Sequence, residues 1–560
     1  MRVLWPYALV AFLYFGTWPF HHGLNNPNEM VRVYMTRAIV KHRTLSIDAV
    51  VREWGPVDDK AIRQGRLYAA KAPLQSLVGV PVYRWMIGAG SALDKRTITT
   101  RLRRWSSTLP ALAFACLLMS WSQRRALALG APAKVGTALG LSLALGTMLY
   151  PYALTFTGHA LAAATAGGVY LGAIGLSRLE PRTSAWCALA ALTGGLAAAA
   201  PFAEYPAALV AAPSLLAAVW VTRPENRLDL LGWLAAGAAG PLALGLSVHW
   251  LSWGSPLKTA YGFLENRAYI EVHREGLFGV GIPRLESLAG ALLSPATGLL
   301  FYSPILLVGL VAMLAVALGE DRRARPGMPP REVFVTGTPP LDRRLAMAAL
   351  VGCLLELLFI AGHRGWRGGW TLGPRYIIPV VPLLGVWTIE ALAWPTARWV
   401  VPPLAAAAIL ITGPAAALYP HLSDVYTNPL GTFLWASYRE GWGTYGLAQS
   451  LGLTGHAANL VHLAPLLGAA LYAAFANVSA RGGAASLALR RMAAVGLPTI
   501  ATLGLVLWGI SRIAEQDPVA AARENDRLWS FWEPAAEPGR QPTISPDLRV
   551  GPNAPRTASP

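Results

Sequence analysis

Charge is what this sequence has least of. Only 14% of its 560 residues are Asp, Glu, Lys or Arg, against 54% hydrophobic residues, whereas soluble proteins carry about 25% charged residues. So few ionised groups cannot build a water-facing surface, which excludes a soluble enzyme. Cysteine is scarce as well. Cys116, Cys187 and Cys353 all fall in apolar stretches, where they act as small hydrophobes, so neither a disulfide scaffold nor a cysteine metal cluster is implied. No Gly-rich phosphate loop of Walker type occurs, and the first apolar run lacks the small-residue cleavage site of a signal peptide and is expected to stay as an anchor. Lysine is confined to Lys41, Lys60, Lys71, Lys95, Lys134 and Lys258, so the net charge of +18 comes from arginine, in keeping with GC-rich codon usage. Because the arginines punctuate apolar runs, their expected partners are anionic membrane lipids and not nucleic acid.

What the sequence has in abundance is apolar length. Runs long enough to cross a bilayer core of roughly 30 Å recur at 3–20, 105–122, 135–151, 159–177, 185–202, 206–221, 230–250, 298–318, 345–362, 375–394, 399–418, 458–476 and 492–511. The expected fold is all-α: a polytopic membrane protein of about thirteen transmembrane helices, with amphipathic surface helices in a long first outer loop, 21–104. The small-residue spacings Gly136/Gly140 and Gly168/Gly172 allow close helix contact. With the amino terminus cytoplasmic, the inner loops hold Arg124, Arg125, Lys134, Arg178, Arg182, Arg223, Arg227, six arginines between 319 and 344, Arg398, Arg481, Arg490 and Arg491, while the turns at 152–158 and 203–205 hold no Lys or Arg. The positive-inside rule favours this orientation. It puts 21–104, 251–297, 363–374, 419–457 and the tail from 512 outside, and 319–344 and 477–491 inside. Three regions follow: a transmembrane core over 1–395, C-terminal helices over 396–511 with an aromatic outer loop at 419–457, and a polar, Pro-rich tail over 512–560. No inner loop is large enough for a nucleotide-binding domain, so chemistry is expected outside, without ATP or a nucleotide sugar.

Several outer residues suit that chemistry. Glu29 follows Asn26-Pro27-Asn28 and opens a stretch in which Met30, Tyr34 and Ala38, with Val31, Met35 and Ile39, recur at helical spacing opposite Glu29, Arg32 and Thr36. This reads as a helix on the membrane surface with Glu29 at the water boundary. There the carboxylate is placed either as a general base or as the N3 acid of a capping box. Asp58-Asp59 precede Tyr68 and Lys71-Ala72-Pro73; a lysine in a tight bend is a candidate phosphate ligand, or else an interfacial lysine. The segment 363–376, from His363 to Tyr376, carries Arg364, Trp366, Arg367, Trp370 and Arg375 among four glycines. It forms either a phosphate nest with sugar-stacking tryptophans or an aromatic belt with headgroup arginines. Among His159, Glu204, Glu356 and Glu390, Glu356 lies in mid-span, where it serves a proton pathway or, the favoured reading, a packing hydrogen bond. Tyr419, Tyr426, Phe433, Trp435, Tyr438, Trp442 and Tyr445 line an acceptor groove or anchor a loop at the interface.

Tyr68-Ala-Ala-Lys71-Ala-Pro73-Leu74, and Gly373-Pro374-Arg375-Tyr376-Ile-Ile-Pro379-Val-Val-Pro382, following a first span that ends in an acidic outer loop, resemble motifs of the GT-C membrane glycosyltransferases. The chain is most similar to the branch of protein O-mannosyltransferases and lipid A aminoarabinose transferases, over about 1–395. The resemblance implies transfer of a sugar from a polyprenyl-phosphate carrier to an acceptor of unknown identity, with inversion, at the outer face of the inner (plasma) membrane of a bacterial cell envelope. Glu29 then stands at the catalytic acid, Tyr68 and Lys71 at the donor phosphate, and Arg375 at a second phosphate contact. Asp58, Asp59, His159, Arg364, Trp366, Arg367, Trp370 and Tyr376 are candidate lining residues. No cofactor or metal is expected, since the cations neutralise the leaving phosphate. Two departures stand out: a glutamate replaces the usual aspartate, and Lys71-Ala72-Pro73 replaces Lys-Pro-Pro. The competing classes are a flippase for a polyprenyl-linked glycan and a non-catalytic lipid-sugar-binding protein.

Overall fold

A computed structural model describes residues 4–17, 26–88, 94–274, 276, 279–319, 341–443, 446–477, 504, 509–510 and 512–530. The chain opens with α1 (Trp5–Gly16), α2 (Pro27–Arg37) and α3 (Asp48–Trp54), then a hairpin of β1 (Lys60–Arg63) and β2 (Arg66–Ala69), then α4 (Leu74–Gly88) and α5 (Lys95–Leu102). The bundle follows as α6 (Leu109–Ala128), α7 (Ala133–Leu145), α8 (Leu149–Ala153), α9 (His159–Leu176), α10 (Ser184–Ala203), α11 (Ala208–Val221) and α12 (Arg227–Trp253). After α13 (Arg267–Arg274), α14 (Leu285–Leu293) and α15 (Leu299–Tyr302) come α16 (Leu306–Ala317), α17 (Arg343–Gly362), α18 (Val381–Glu390) and α19 (Ala397–Leu418). The last helices are α20 (Ala436–Arg439), α21 (Leu447–Ser450), α22 (Gly455–Ala474) and α23 (Pro518–Ser530).

Helix occupies each expected span up to 458–476, and the chain is a multi-pass membrane protein. Seven helices are long and apolar enough to cross a membrane among the described residues, while Trp5–Gly16, Ala133–Leu145, Tyr205–Val221 and Leu306–Ala317 are apolar but shorter. Turn chemistry shortens two of them: Gly146 ends α7 and Pro304 precedes α16. The span expected at 492–511, like the inner segments 319–344 and 477–491, lies largely outside the described residues, as does 531–560. Polar caps set the helix starts: Asn26 accepts from the Asn28 N–H at α2, Thr183 from Trp186 at α10 and Asp342 from Arg344 at α17. Glycines set helix separation. A Cβ at Gly136 would lie 2.7 Å from the Ala126 Cβ, and one at Gly140 would lie 3.1 Å from the Met119 Cα, so α6 and α7 approach as the spacing implies.

The two ends of the bundle differ in character. At one end Arg125 (α6) makes a bidentate pair with Glu390 (α18), Nε–Oε1 2.6 Å and Nη2–Oε2 2.9 Å. At that end too Arg182 meets Asp229, Arg344 donates to the Trp220 carbonyl, and Arg398 donates to the Leu129 carbonyl. The opposite end carries α2–α5, the hairpin and the loops at 254–298, 363–376 and 419–443. Two expectations change here. The segment 26–37 is not a surface helix with a wet face, because Arg32 and Thr36 are fully buried and Glu29 is 1% exposed. The segment from 512 is not wholly a tail: α23 docks on the loop that follows α19, through Tyr426 Oη to Asn525 at 2.7 Å and Trp529 stacked on Trp442. That docking also answers for the aromatic loop. Tyr419, Tyr426, Phe433 and Trp442 are core residues, neither a groove nor an interface belt; Tyr445 lies outside the described residues.

Glu356 in α17 is fully buried, and neither carboxyl oxygen has a hydrogen-bond partner among the described residues; the packing hydrogen bond favoured from sequence is not formed with them. Glu390 is the opposite case. Breaking its two-pronged pair, in Glu390→Gln or Arg125→Met, is expected to cost about 3–5 kcal/mol, and an apolar double replacement is expected to cost less than either single change. Unfolding curves in detergent micelles check this; additive losses would show the two residues to be uncoupled.

Candidate functional site

At the end of the bundle away from Arg125 and Arg182, four elements bring charged residues together. Pro27 fixes the first turn of α2, so Asn28, Glu29 and Arg32 project from its first turns into the bundle. Arg32 is saturated: Nε donates to Asn28 Oδ1 at 3.2 Å, one Nη to the Ala72 carbonyl at 2.6 Å and the other to Glu204 Oε1 at 2.5 Å. Glu204 caps the end of α10, is 12% exposed in its side chain, and has Oε1 3.7 Å from His159 Nδ1. Its second oxygen receives no hydrogen bond among the described residues.

Glu29 is held more tightly. Arg103, at the start of the π-helical stretch Arg103–Thr108, donates from Nε to Oε1 at 2.5 Å and from Nη2 to Oε2, and the Phe156 N–H donates to Oε1 at 2.6 Å. His421 Nε2 is 3.7 Å away. Burial alone would raise the Glu29 carboxyl, but the Arg103 charge and its hydrogen bonds outweigh burial and hold it well below the usual carboxylate range. Such a group is a poor proton acceptor, and at 1% exposure it does not stand at the water boundary. The sequence places the cap and the proline correctly, but the side chain reaches Arg103 and not back to its own helix start, so the capping-box expectation gives way to an ion pair between α2 and the segment before α6.

Lys71 and Tyr68 lie where the hairpin meets α12. The pairing Lys60↔Ala69 puts Asp59 opposite Ala70, and Lys71 Nζ reaches Asp59 Oδ1 at 2.9 Å, with side chains 13% and 11% exposed. Tyr68 packs edge-on against Trp253, ring centroids 5.5 Å apart. Lys71 and Tyr68 both line a small pocket of mixed character, with Met35, Leu45, Pro73, Val248 and Trp253 on its apolar side and His249 and Ser252 on its polar side. Asp58 is exposed. Asp48 is engaged in the hairpin, receiving the Leu67 N–H at 3.2 Å.

Arg375 follows Gly373, whose φ of +71° turns the chain into the next span. Its Nη2 donates to the Tyr376 hydroxyl at 3.1 Å, its Nε is buried without a hydrogen-bond partner, and no carboxylate lies within ion-pair distance among the described residues. Arg375, Arg32 and Lys71 lie near enough for their charges to act on His159, and the charge of Asp59 reaches Arg375. Arg375 lines an inner pocket with Tyr152, Thr155, Thr157, His159 and His421, whereas Lys71 lines a separate one; the Nε2 atoms of His159 and His421 are buried without hydrogen-bond partners among the described residues. On the outer side, burial, then the neighbouring His273 and Arg375, push the His363 imidazole down to about 4.

The structure divides the 363–376 cluster. Tyr376 joins Arg375, with its ring 6.4 Å from that of His159. Trp366 packs against Gly290, Arg367 donates to the Tyr426 carbonyl at 3.3 Å, and Trp370 is covered by the Arg527 guanidinium at 4.5 Å. Those three are occupied by packing, and Arg364 is exposed, so the loop makes no single arginine nest. Sequence reading missed Arg103 and His421, and under-weighted Glu204 and Arg32; only the helical spacing Asn28/Arg32 hinted at a pair on one face.

No protein-family model matches the chain, and no curated protein matches it. Among solved structures it is similar to ArnT from Cupriavidus metallidurans bound to undecaprenyl phosphate, at 16% identity over 91% of this chain and 75% of that one, TM-score 0.43. It is also similar to the archaeal oligosaccharyltransferase AglB from Archaeoglobus fulgidus in complex with an inhibitory peptide and a dolichol-phosphate, at 11% identity over 97% of this chain and 60% of that one, TM-score 0.36.

Because the Glu29 carboxyl is depressed, its ion pair stabilises the fold at every pH above the ordinary carboxylate range and is lost only as acid approaches the lowered value. Glu29→Gln is expected to destabilise the protein by about 3–5 kcal/mol by removing the carboxylate that the Arg103 guanidinium meets two-pronged, read as a fall in the thermal unfolding midpoint. An unchanged midpoint would show that the pair does not hold α2.

Proposed function

We propose that this chain is an inverting membrane glycosyltransferase that takes a sugar from a polyprenyl-phosphate carrier. One observation carries this: two cations, Lys71 and Arg375, the latter with no carboxylate within ion-pair distance among the described residues, stand at the same end of an apolar bundle. That suits an amphiphile with an anionic head and a hydrocarbon tail. Tyr68 and Lys71 line one small pocket with Met35, Leu45, Val248 and Trp253, and in this reading the head is bound beside them. Orientation follows from the arginine-rich opposite end, which the positive-inside rule assigns to the cytoplasm; the site then faces outside, where nucleotide sugars are absent and a lipid carrier delivers the donor.

In this reading the acceptor hydroxyl attacks the anomeric carbon from the face opposite the phosphate. The bond from that carbon to the phosphate oxygen breaks, the electron pair stays on the phosphate, and Lys71 and Arg375 stabilise its growing charge. The acceptor proton passes to Glu204, whose second oxygen receives no hydrogen bond among the described residues while Arg32 holds the first and His159 stands 3.7 Å from it. The base role that the family pattern gives to Glu29 therefore moves to Glu204, with Glu29 holding the helix from which Arg32 projects.

Purified protein supplied with polyprenyl-phosphate sugars and candidate acceptors is expected to release free polyprenyl phosphate. Glu204→Gln should lower turnover by roughly 10²-fold to 10⁴-fold with donor binding retained; because it also takes the carboxylate from Arg32, its unfolding midpoint should fall, and turnover is compared below that midpoint. Lys71→Ala and Arg375→Ala should instead weaken donor binding. Movement of lipid across proteoliposomes with no glycosidic cleavage would replace this reading by a flippase. Cysteine labelling at Asp94 from outside and at Lys134 only after permeabilisation is expected; the reverse would remove the case for a lipid-borne donor.

A further inference from the structure

The two proposed phosphate cations are not equivalent. Arg375 has no carboxylate within ion-pair distance among the described residues, whereas Lys71 is already paired with Asp59, Nζ–Oδ1 2.9 Å. Asp59 is fixed by its backbone. It stands immediately before β1, its carbonyl receives the Ala70 N–H at 2.8 Å, and its φ of +59° is left-handed, a region in which Asp and Asn are the tolerated non-glycine residues. A position that needs this unusual backbone, one residue from the hairpin ladder, presents its carboxylate to Lys71 from a frame and not from a pliable loop. No side-chain contact of Asp59 other than that to Lys71 is formed among the described residues, and its charge also reaches Arg375.

The charges then add up in a specific way. Arg32 with Glu204, and Arg103 with Glu29, are matched pairs, so Lys71, Arg375 and Asp59 leave the phosphate space with one net positive charge. A sugar-bearing polyprenyl phosphodiester carries one negative charge and fits. After transfer the same phosphate is a monoester of charge about −1.5 to −2 at pH 7, and a diphosphate-linked donor carries two negative charges before transfer. Both exceed what the site neutralises while Asp59 is ionised.

We propose that Asp59 is an exchangeable counter-ion for Lys71: it yields Lys71 to the leaving phosphate as that charge grows, and reclaims it so that the product lipid departs. This rests on the reading that Lys71 and Arg375 hold a lipid phosphate. It makes Asp59 a positioning and selectivity residue, favouring singly charged phosphodiester heads over diphosphates and over the product.

The test is equilibrium binding of polyprenyl phosphate and polyprenyl diphosphate to the full chain in detergent, with wild type, Asp59→Asn, and each in a Lys71→Met background. Asp59→Asn keeps the left-handed backbone and removes the charge. It is expected to bind polyprenyl phosphate roughly tenfold more tightly, to gain more for the diphosphate, and to lower kcat and KM together as product release slows. In the Lys71→Met background the substitution should lose most of this effect, leaving only the part that the Asp59 charge exerts through Arg375. A purely structural Asp59 predicts weaker or unchanged phosphate binding with a lowered unfolding midpoint, and that result in a wild type that binds the lipid overturns the inference alone. Absence of polyprenyl-phosphate binding in the wild type overturns the reading of the site and this inference with it. If Asp59→Asn does not fold, Asp59→Gly, also suited to positive φ, carries the same expectation.

Discussion

A charge in an interior with little water has to be matched, and in this protein the matching is what assembles the site. Two guanidinium–carboxylate pairs, Arg103–Glu29 and Arg32–Glu204, join α2 to the segment before α6 and to the end of α10. Neither pair is local in sequence: the partners stand 74 and 172 positions apart. An unmatched member would be costly to bury, so each pair forms only when the bundle end has closed around α2, and α2 in turn carries the backbone on which the hairpin and α4 rest. Against that background Arg375 differs: among the described residues it has one hydrogen bond, to a phenol, and no carboxylate within ion-pair distance.

The same rule organises the opposite end of the bundle, with another outcome. Arg125 and Glu390 meet two-pronged between α6 and α18, and the arginines around them cap carbonyls at helix ends or join acids across turns. All of those contacts are internal, and they tie successive hairpins of helices together where the connecting loops are short. One end of the molecule thus spends its charge on cohesion, and the other retains part of it for binding.

Much of the architecture is legible in the sequence because apolar length and glycine spacing are properties of one segment at a time. The span positions, the close α6–α7 contact at Gly136 and Gly140, and the N-cap at Asn26 all depend on near neighbours. Lys71 and Arg375 stand out in the sequence for a related reason: a rare lysine two residues before a proline, and an arginine at the start of an apolar run, are locally anomalous. Glu29 was misjudged because its meaning is set by Arg103 and Phe156, which no local pattern connects to it. The tryptophans at 366 and 370 failed likewise. A sugar platform and a packed indole look alike until Gly290 and Arg527 are seen to cover them. Periodicity also made α2 look like a surface helix, since an amphipathic stripe reports that two faces differ and says nothing of what covers the polar one.

The hairpin, α2 and α23 have no covalent fastening to the bundle. The three cysteines are unpaired and sit in α6, α10 and α17, far from these attachments, which rely on ion pairs, hydrogen bonds and stacked rings such as Trp529 on Trp442. None of these attachments contains a disulfide, so their formation does not call on the oxidising power of whichever compartment they face.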